Sequence, residues 1–138
     1  MPIAGERSYP CVMKSRSDGM WWGIAIEAPD PSSLAHFYSE LLQWPIVNDE
    51  PGTAILGIPG GAFVVFQETI DYVRPVWPPP PGAQRPMMHL DVQVGDLKSA
   101  VVEALALGAT EADTQPNERV RVLLDPAGHP FCLCLDTD

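Results

Sequence analysis

Trp22-Gly23-Ile24-Ala25-Ile26-Glu27-Ala28-Pro29-Asp30 and Met88-His89-Leu90-Asp91-Val92-Gln93-Val94-Gly95-Asp96 are the two stretches that decide the fold. In both, apolar residues alternate with other residues and the stretch closes on an aspartate, a pattern typical of a half-buried strand that leads into a helix. Asp30 and Asp96 lie 66 positions apart. The chain therefore carries an internal repeat, with one copy in each half.

A helix is predicted after each aspartate, because its carboxylate can accept from the free N–H groups of a first helical turn. Pro31 suits the first helical position, and Gly108 suits the end of the second helix. The apolar residues that follow fall on one helical stripe in each half. These are Leu34, Phe37, Tyr38, Leu41 and Leu42 in the first half, and Leu97, Ala100, Val101, Ala104 and Leu107 in the second.

Each predicted helix is followed by three strand-like segments. They cover about 45–49, 53–58 and 62–68 in the first half, and 110–113, 120–124 and 130–135 in the second. Pro59-Gly60-Gly61 and Asp125-Pro126-Ala127-Gly128 supply tight turns between the last two strands of each half. The fold class expected is α+β, with two paired βαβββ modules.

The predicted organisation is an N-terminal arm of uncertain order over residues 1–18 and one domain over residues 19–138. Module one covers about 20–70, a proline-rich linker 73–86, and module two about 87–136. Each half has too few residues to bury a core comfortably alone, so the two sheets should pair. The arm could instead lie over the site or reach a partner subunit.

Composition excludes several classes of function. The net charge of −10 with scattered basic residues argues against nucleic acid as a partner. No apolar stretch approaches a membrane span or the core of a secretion signal, so we expect a cytoplasmic protein without membrane contact. Cys11, Cys132 and Cys134 are an odd number of cysteines and are interpreted as reduced thiols, more plausibly small buried side chains than zinc ligands.

The order strand, Asp, helix, hairpin, found twice with Phe37-Tyr38 and Asp125-Pro126-x-Gly128, resembles the vicinal-oxygen-chelate superfamily of glyoxalase, bleomycin-resistance and dioxygenase type. His89-Leu90-Asp91 and the stretch 125–133 are similar to its actinobacterial glyoxalase-like subgroup. The resemblance covers roughly residues 20–136. It implies curved mixed sheets around a cleft, a small-molecule ligand and pairing of chains as a homodimer.

The resemblance also implies where a metal would bind. In metal-using relatives, one inward position on each of four strands provides a ligand to a divalent ion. Those positions correspond here to Gly23, Val65, His89 and Cys132. Only His89 matches, so no metal is favoured, and a divalent metal ion, if one binds, would use His89.

His89 and Asp91 lie two apart on a strand and share a face. They are the candidate catalytic pair, with His89 as a general base or hydrogen-bonding anchor that Asp91 orients, or else as a structural remnant. Because Gly23 leaves a void, an aromatic ligand could stack near Trp21. His129 is interpreted as turn chemistry and His36 as solvated. The candidate ligand-binding residues are Trp21, Gln67, His89 and Cys132.

Three functions remain open on the sequence alone. The first is metal-independent binding of a small, partly aromatic or amphipathic molecule in the cleft, which makes the protein a binder rather than an enzyme. The second is a metal-dependent lyase, isomerase or dioxygenase that uses His89. The third is a structural or regulatory dimer without a ligand.

Overall fold

The structure is a computed structural model that describes residues 21–136, so the predicted arm at 1–18 and Cys11 lie outside the described residues. Two βαβββ modules follow one another along the chain, as predicted. The first contains β1 (Trp22–Ala28), α1 (Pro31–Leu42), β2 (Ile46–Glu50), β3 (Thr53–Ile58) and β4 (Ala62–Glu68). The second contains β5 (Leu90–Val94), α2 (Leu97–Leu107), β6 (Thr110–Glu111), β7 (Val120–Leu124) and β8 (Pro130–Leu135).

Each module forms a four-stranded mixed sheet. The strand orders are β1-β4-β3-β2 and β5-β8-β7-β6, with β1 parallel to β4 and β5 parallel to β8. The other pairs are antiparallel. This confirms the predicted fold class, but in the described part of the chain no hydrogen-bonded ladder joins the two sheets. β1 and β5 are therefore edge strands.

Aspartates cap both helices, as the repeat predicts. The Asp30 carboxylate accepts from the backbone N–H of Ser33 at 3.2 Å and from its hydroxyl at 2.7 Å. Asp96 makes the same two contacts with Ser99, at 3.2 and 2.9 Å. Gly108 ends α2 in a left-handed conformation with φ of 117°.

The short strand β6 is where the structure departs most from the predicted boundaries. The strand ends at Glu111 instead of continuing to Asp113, although the backbone N–H of Ala112 still donates to the carbonyl of Val122 at 3.1 Å. The amide side chain of Gln115 accepts from the backbone N–H of Val122 at 2.7 Å and donates to its carbonyl at 3.0 Å. A side chain thus occupies hydrogen-bonding positions that a longer strand would fill.

The two modules share a core through their helix-bearing faces. Tyr38 of α1 stacks on Phe66 with ring centroids 5.8 Å apart, and it meets Phe131 of module two edge-on at 5.8 Å. Phe37 also packs against Phe131, at 6.0 Å. These four aromatic side chains are buried, so packing rather than strand pairing joins the modules. Across residues 21–136, no helix has the length and apolarity to span a bilayer.

Candidate functional site

We call the strand faces that point away from the helices the inner surfaces of the two sheets. On β1, Ile24, Ile26 and Ala28 point towards the core, whereas the alternate positions are exposed. Gly23 is one of these, and its partner across the parallel pair with β4 is Phe63. The inner surface of module one is therefore mostly apolar where a metal site would need donors.

The space beside Gly23 is filled, which differs from the predicted void. A Cβ atom at Gly23 would lie 2.5 Å from the ring of Phe63. Trp21 lies over the same ring at 5.5 Å between centroids and is 77% exposed. The sequence could not show this, because Phe63 comes from a strand 40 residues further along the chain. Any stacking on Trp21 would have to use its outer surface.

Module two brings three of the predicted residues together. His89 Nε2 lies 3.1 Å from Asp91 Oδ1, and Asp91 is the register partner of Cys132 on β8. The imidazole, carboxylate and thiol offer ligand atoms that all lie within 4.8 Å of one another. Both His89 and Asp91 are exposed, at 49% and 64% of their side chains.

The electrostatics of this group favour a protonated thiol. Partial burial raises the pKa of Cys132 to about 11, and the negative charge of Asp91 and the neighbouring Cys134 add to the effect. At neutral pH Cys132 is thus a neutral thiol that can donate to Asp91. A cation would have to displace that proton before the sulfur could coordinate it.

The donor types of this group nevertheless suit zinc. Imidazole, carboxylate and thiolate are all accepted in catalytic zinc sites, where three protein ligands leave a fourth position open. Gly23 and Val65, the corresponding positions of module one, add no donor atom. The residues therefore fit a three-ligand site within module two and do not fit a four-ligand site shared between the modules.

A cleft of about 550 Å³ lies between the edge strands β1 and β5 and the linker. Of the four residues predicted to bind a ligand, His89 lines this cleft, whereas Trp21, Gln67 and Cys132 do not. The lining is mostly apolar, with a few polar groups. It consists of Ile24, Ala25, Ile26, Glu27, Tyr38, Tyr72, Val73, Pro75, Met87, Met88, His89, Leu90, His129 and Pro130.

His129 was interpreted from the sequence as turn chemistry, but it lines the cleft and belongs to a buried network. Its Nδ1 lies 2.9 Å from the carboxylate of Asp125, which is 1% exposed. The same carboxylate accepts from the hydroxyl of Tyr38 at 2.7 Å. The Tyr72 hydroxyl lies 3.3 Å from His129 Nε2 and donates to the carbonyl of Ala127 at 2.6 Å.

Both tyrosines of this network stay protonated at physiological pH. Burial and the negative charge of Asp125 raise the pKa of Tyr38 well above its usual range. Burial, followed by the charge of Asp125, raises the pKa of Tyr72 to about 12. Each phenol is therefore a hydrogen-bond donor with a fixed partner, and the two bonds hold α1 and the connection between β4 and β5 against the turn before β8.

The family to which this fold belongs follows from comparison with known proteins. The sequence model described as "Glyoxalase-like domain" matches residues 23–134, most of the chain. The chain belongs to the glyoxalase-like domain family. None of the curated proteins compared matches the sequence.

Solved structures show the same fold at low identity. A glyoxalase/bleomycin resistance protein/dioxygenase family enzyme from Burkholderia phytofirmans superposes with a TM-score of 0.62 at 17% identity, covering 82% of this glyoxalase-like domain and 95% of the other chain. The fosfomycin resistance protein FosX from Listeria monocytogenes, complexed with Mn(II) and 1S,2S-dihydroxypropylphosphonic acid, superposes with a TM-score of 0.61 at 16% identity. The superposition covers 83% of this chain and 88% of the FosX chain. These likenesses show that the glyoxalase-like domain shares its fold with both proteins.

Proposed function

We propose that this glyoxalase-like domain binds a small, partly aromatic or amphipathic molecule in the cleft between β1 and β5, without a metal ion. The observation that carries the proposal is the cleft itself, whose volume and mostly apolar lining match those of small-molecule sites. Both modules and the linker contribute to it.

Exposed apolar side chains around the cleft support this proposal. Val73, Met87 and Met88 are 84%, 83% and 74% exposed, although all three are large and apolar. Clustered exposed apolar surface marks binding sites, and methionine adapts its shape to varied ligands. Tyr72, His89 and His129 add the few polar groups that orient a ligand in such a site.

Metal independence is supported by the donor inventory. Gly23 and Val65 offer no side-chain ligand atoms, so module one adds none to those of His89, Asp91 and Cys132. We accordingly propose that His89 acts as a hydrogen-bonding residue of the cleft, with Asp91 holding its ring at 3.1 Å. Trp21, Gln67 and Cys132 remain predicted ligand contacts, but they do not line this cleft.

A binding experiment with a matched control tests the proposal. The neutral fluorescent probe N-phenyl-1-naphthylamine should bind the parent protein and brighten. Met88→Lys, which places a charge in the cleft, should weaken binding about tenfold or more, because a charge is costly next to an apolar ligand. Val102→Lys on α2 makes the same change at an exposed residue away from the cleft and should leave binding unchanged.

The opposite results have a clear meaning. Equal binding by the two variants would place the probe elsewhere and overturn the proposal for this cleft. If the parent protein bound neither N-phenyl-1-naphthylamine nor any of a wider set of aromatic compounds, a structural or regulatory dimer without a ligand would be favoured. The homodimer and the cytoplasmic location both remain predictions, and light scattering on purified protein measures the first.

A metal-dependent lyase, isomerase or dioxygenase is the second candidate. It is favoured by one observation, the convergence of His89, Asp91 and Cys132 within 4.8 Å. These residues would hold a divalent ion, which when bound would polarise the oxygens of a substrate. Elemental analysis of protein purified without chelators separates the candidates. A stoichiometric ion lost in His89→Ala but kept in His36→Ala would replace the metal-independent proposal.

A further inference from the structure

Glu27, Tyr72 and His129 are polar residues of the cleft lining, and we refer to them together as its polar end. They come from β1, the connection between β4 and β5, and the turn before β8, and Tyr72 and His129 lie 3.3 Å apart. The rest of the lining is largely apolar. A ligand in the cleft would therefore place its polar group against these three residues.

The protons of His129 Nδ1 and the Tyr72 hydroxyl are already used in hydrogen bonds within the protein. The buried Asp125 carboxylate can accept from His129 Nδ1 at 2.9 Å, and the tautomer that makes this bond leaves Nε2 as an acceptor. The Tyr72 hydroxyl gives its proton to the carbonyl of Ala127, at 2.6 Å. His129 Nε2 and the Tyr72 oxygen are thus two acceptors, 3.3 Å apart, with no proton between them.

The charge at this end is negative. Glu27 is the only Asp, Glu, Lys or Arg among the cleft-lining residues in the part of the chain that the structure describes. Arg74 lies in the connection between β4 and β5 but turns the other way. Its guanidinium donates to the carbonyl of Pro126 at 2.8 Å, and its side chain packs over Gly128. Among the described residues of the lining there is therefore no Lys or Arg to oppose Glu27.

The charge of Glu27 also affects the pKa of Tyr72. After burial and the charge of Asp125, which raise the pKa of Tyr72, the positive charge of Arg74 lowers it and the negative charge of Glu27 raises it to a smaller extent. The phenol stays neutral, so its oxygen is a fixed acceptor. Asp125 itself is buried and saturated by Tyr38, His129 and backbone donors, which leaves Glu27 as the carboxylate that a ligand can reach.

We propose that this polar end binds the protonated amine of an amphipathic ligand, whose apolar part lies against Met87, Met88 and Val73. An ammonium group carries three donors and no acceptor, which complements an imidazole nitrogen, a phenolic oxygen and a carboxylate. A carboxylate or phosphate in the same place would meet only acceptors and a negative charge. The inference rests on the proposed cleft binding and adds the chemical class of the ligand.

A matched set of probes tests the class. Calorimetric titration of the full-length protein compares 4-phenylbutylamine, 4-phenylbutan-1-ol and 4-phenylbutyrate, which share an apolar body and differ at the polar end. The amine should bind about tenfold more tightly than the alcohol, and the carboxylate should bind most weakly. Glu27→Gln should bring the amine to within about twofold of the alcohol. Glu103→Gln, an exposed residue of α2, makes the same charge change and should keep the tenfold preference.

The outcomes separate this inference from the proposal beneath it. If the three compounds all displace N-phenyl-1-naphthylamine with equal affinity, the cleft binds small molecules and the amine preference is wrong. A preference for the amine that survives in Glu27→Gln also overturns the assignment to this end of the cleft. If neither the naphthylamine probe nor any of the three compounds binds, the proposed function fails together with the inference.

Discussion

Replacing Tyr38 by Phe removes one hydroxyl and tests whether a single buried bond joins the two modules. The hydroxyl donates to Asp125 over 2.7 Å, and the two residues lie 87 positions apart in the sequence. Both are almost completely buried, at 2% and 1% exposure. Hydrogen bonds to charged groups contribute about 1.5 to 3 kcal/mol to stability.

The expected cost of Tyr38→Phe is about 2 kcal/mol, within that range. Asp125 keeps three other contacts, to the backbone N–H groups of Ala127 and His129 and to the His129 ring, so the carboxylate is not left unpaired. For a chain of this length, the loss corresponds to a fall in melting temperature of about 5 to 10 °C. Urea unfolding followed by circular dichroism measures the free energy directly.

Tyr72→Phe is the matched control for this measurement. Its hydroxyl donates to a neutral carbonyl, that of Ala127, and the side chain is only partly buried. The same chemical change should therefore cost about 1 kcal/mol. If Tyr38→Phe changed the free energy of unfolding by less than about 0.5 kcal/mol, or if Tyr72→Phe cost more, the buried bond would not be the tie between modules that we describe.

Three further predictions follow from single residues. Because the pKa of Cys132 is raised from 9.0 to about 11, its alkylation by iodoacetamide at about pH 8 should be about 100-fold slower than that of an ordinary thiol. Peptide mapping that found a rate within tenfold would contradict this. Gly128→Ala should destabilise the protein by about 1 to 3 kcal/mol, because its φ is +94° and Arg74 lies 2.5 Å from the added carbon. Gly82→Ala has a similar φ with no neighbour within 4 Å and should cost less in the same urea assay. Asp30→Ala should cost about 1 kcal/mol near neutral pH. The hydroxyl of Ser33 lowers the pKa of Asp30 below 3.8, so the cap stabilises the fold above about pH 4 and its contribution is lost as the pH falls through the lower folded-state value. A difference in melting temperature that persists in strong acid would exclude this role.

Local patterns in the sequence were enough to predict the fold. Asp30 and Asp96 predict where the two helices begin, because capping involves residues only three positions apart. Alternation on β1 and β5 likewise identified which side chains point towards the core. The end of β6 was predicted less well, because it depends on the side chain of Gln115, and no periodicity reports such a contact.

The candidate site was predicted only where its residues are close in sequence or paired by strand order. Asp91 and Cys132 are register partners, and His89, which lies one residue before β5 rather than on the strand as predicted, comes together with both. The contact of His129 with Tyr72 was not predicted, because Tyr72 lies 57 positions away, in the connection between β4 and β5, which has no regular structure. A polar residue beside a buried aspartate is a signal only when the burial of that aspartate is known.

The ring of Phe63 over Gly23 has a consequence for anyone who would redesign this protein as a metalloenzyme. A histidine placed at Gly23 alone would meet that ring at its first side-chain carbon. The aromatic residue must be shortened beforehand, and doing so exposes the underside of Trp21 to water. Gaining a fourth coordinating group is thus a two-step change whose first step brings no catalytic benefit.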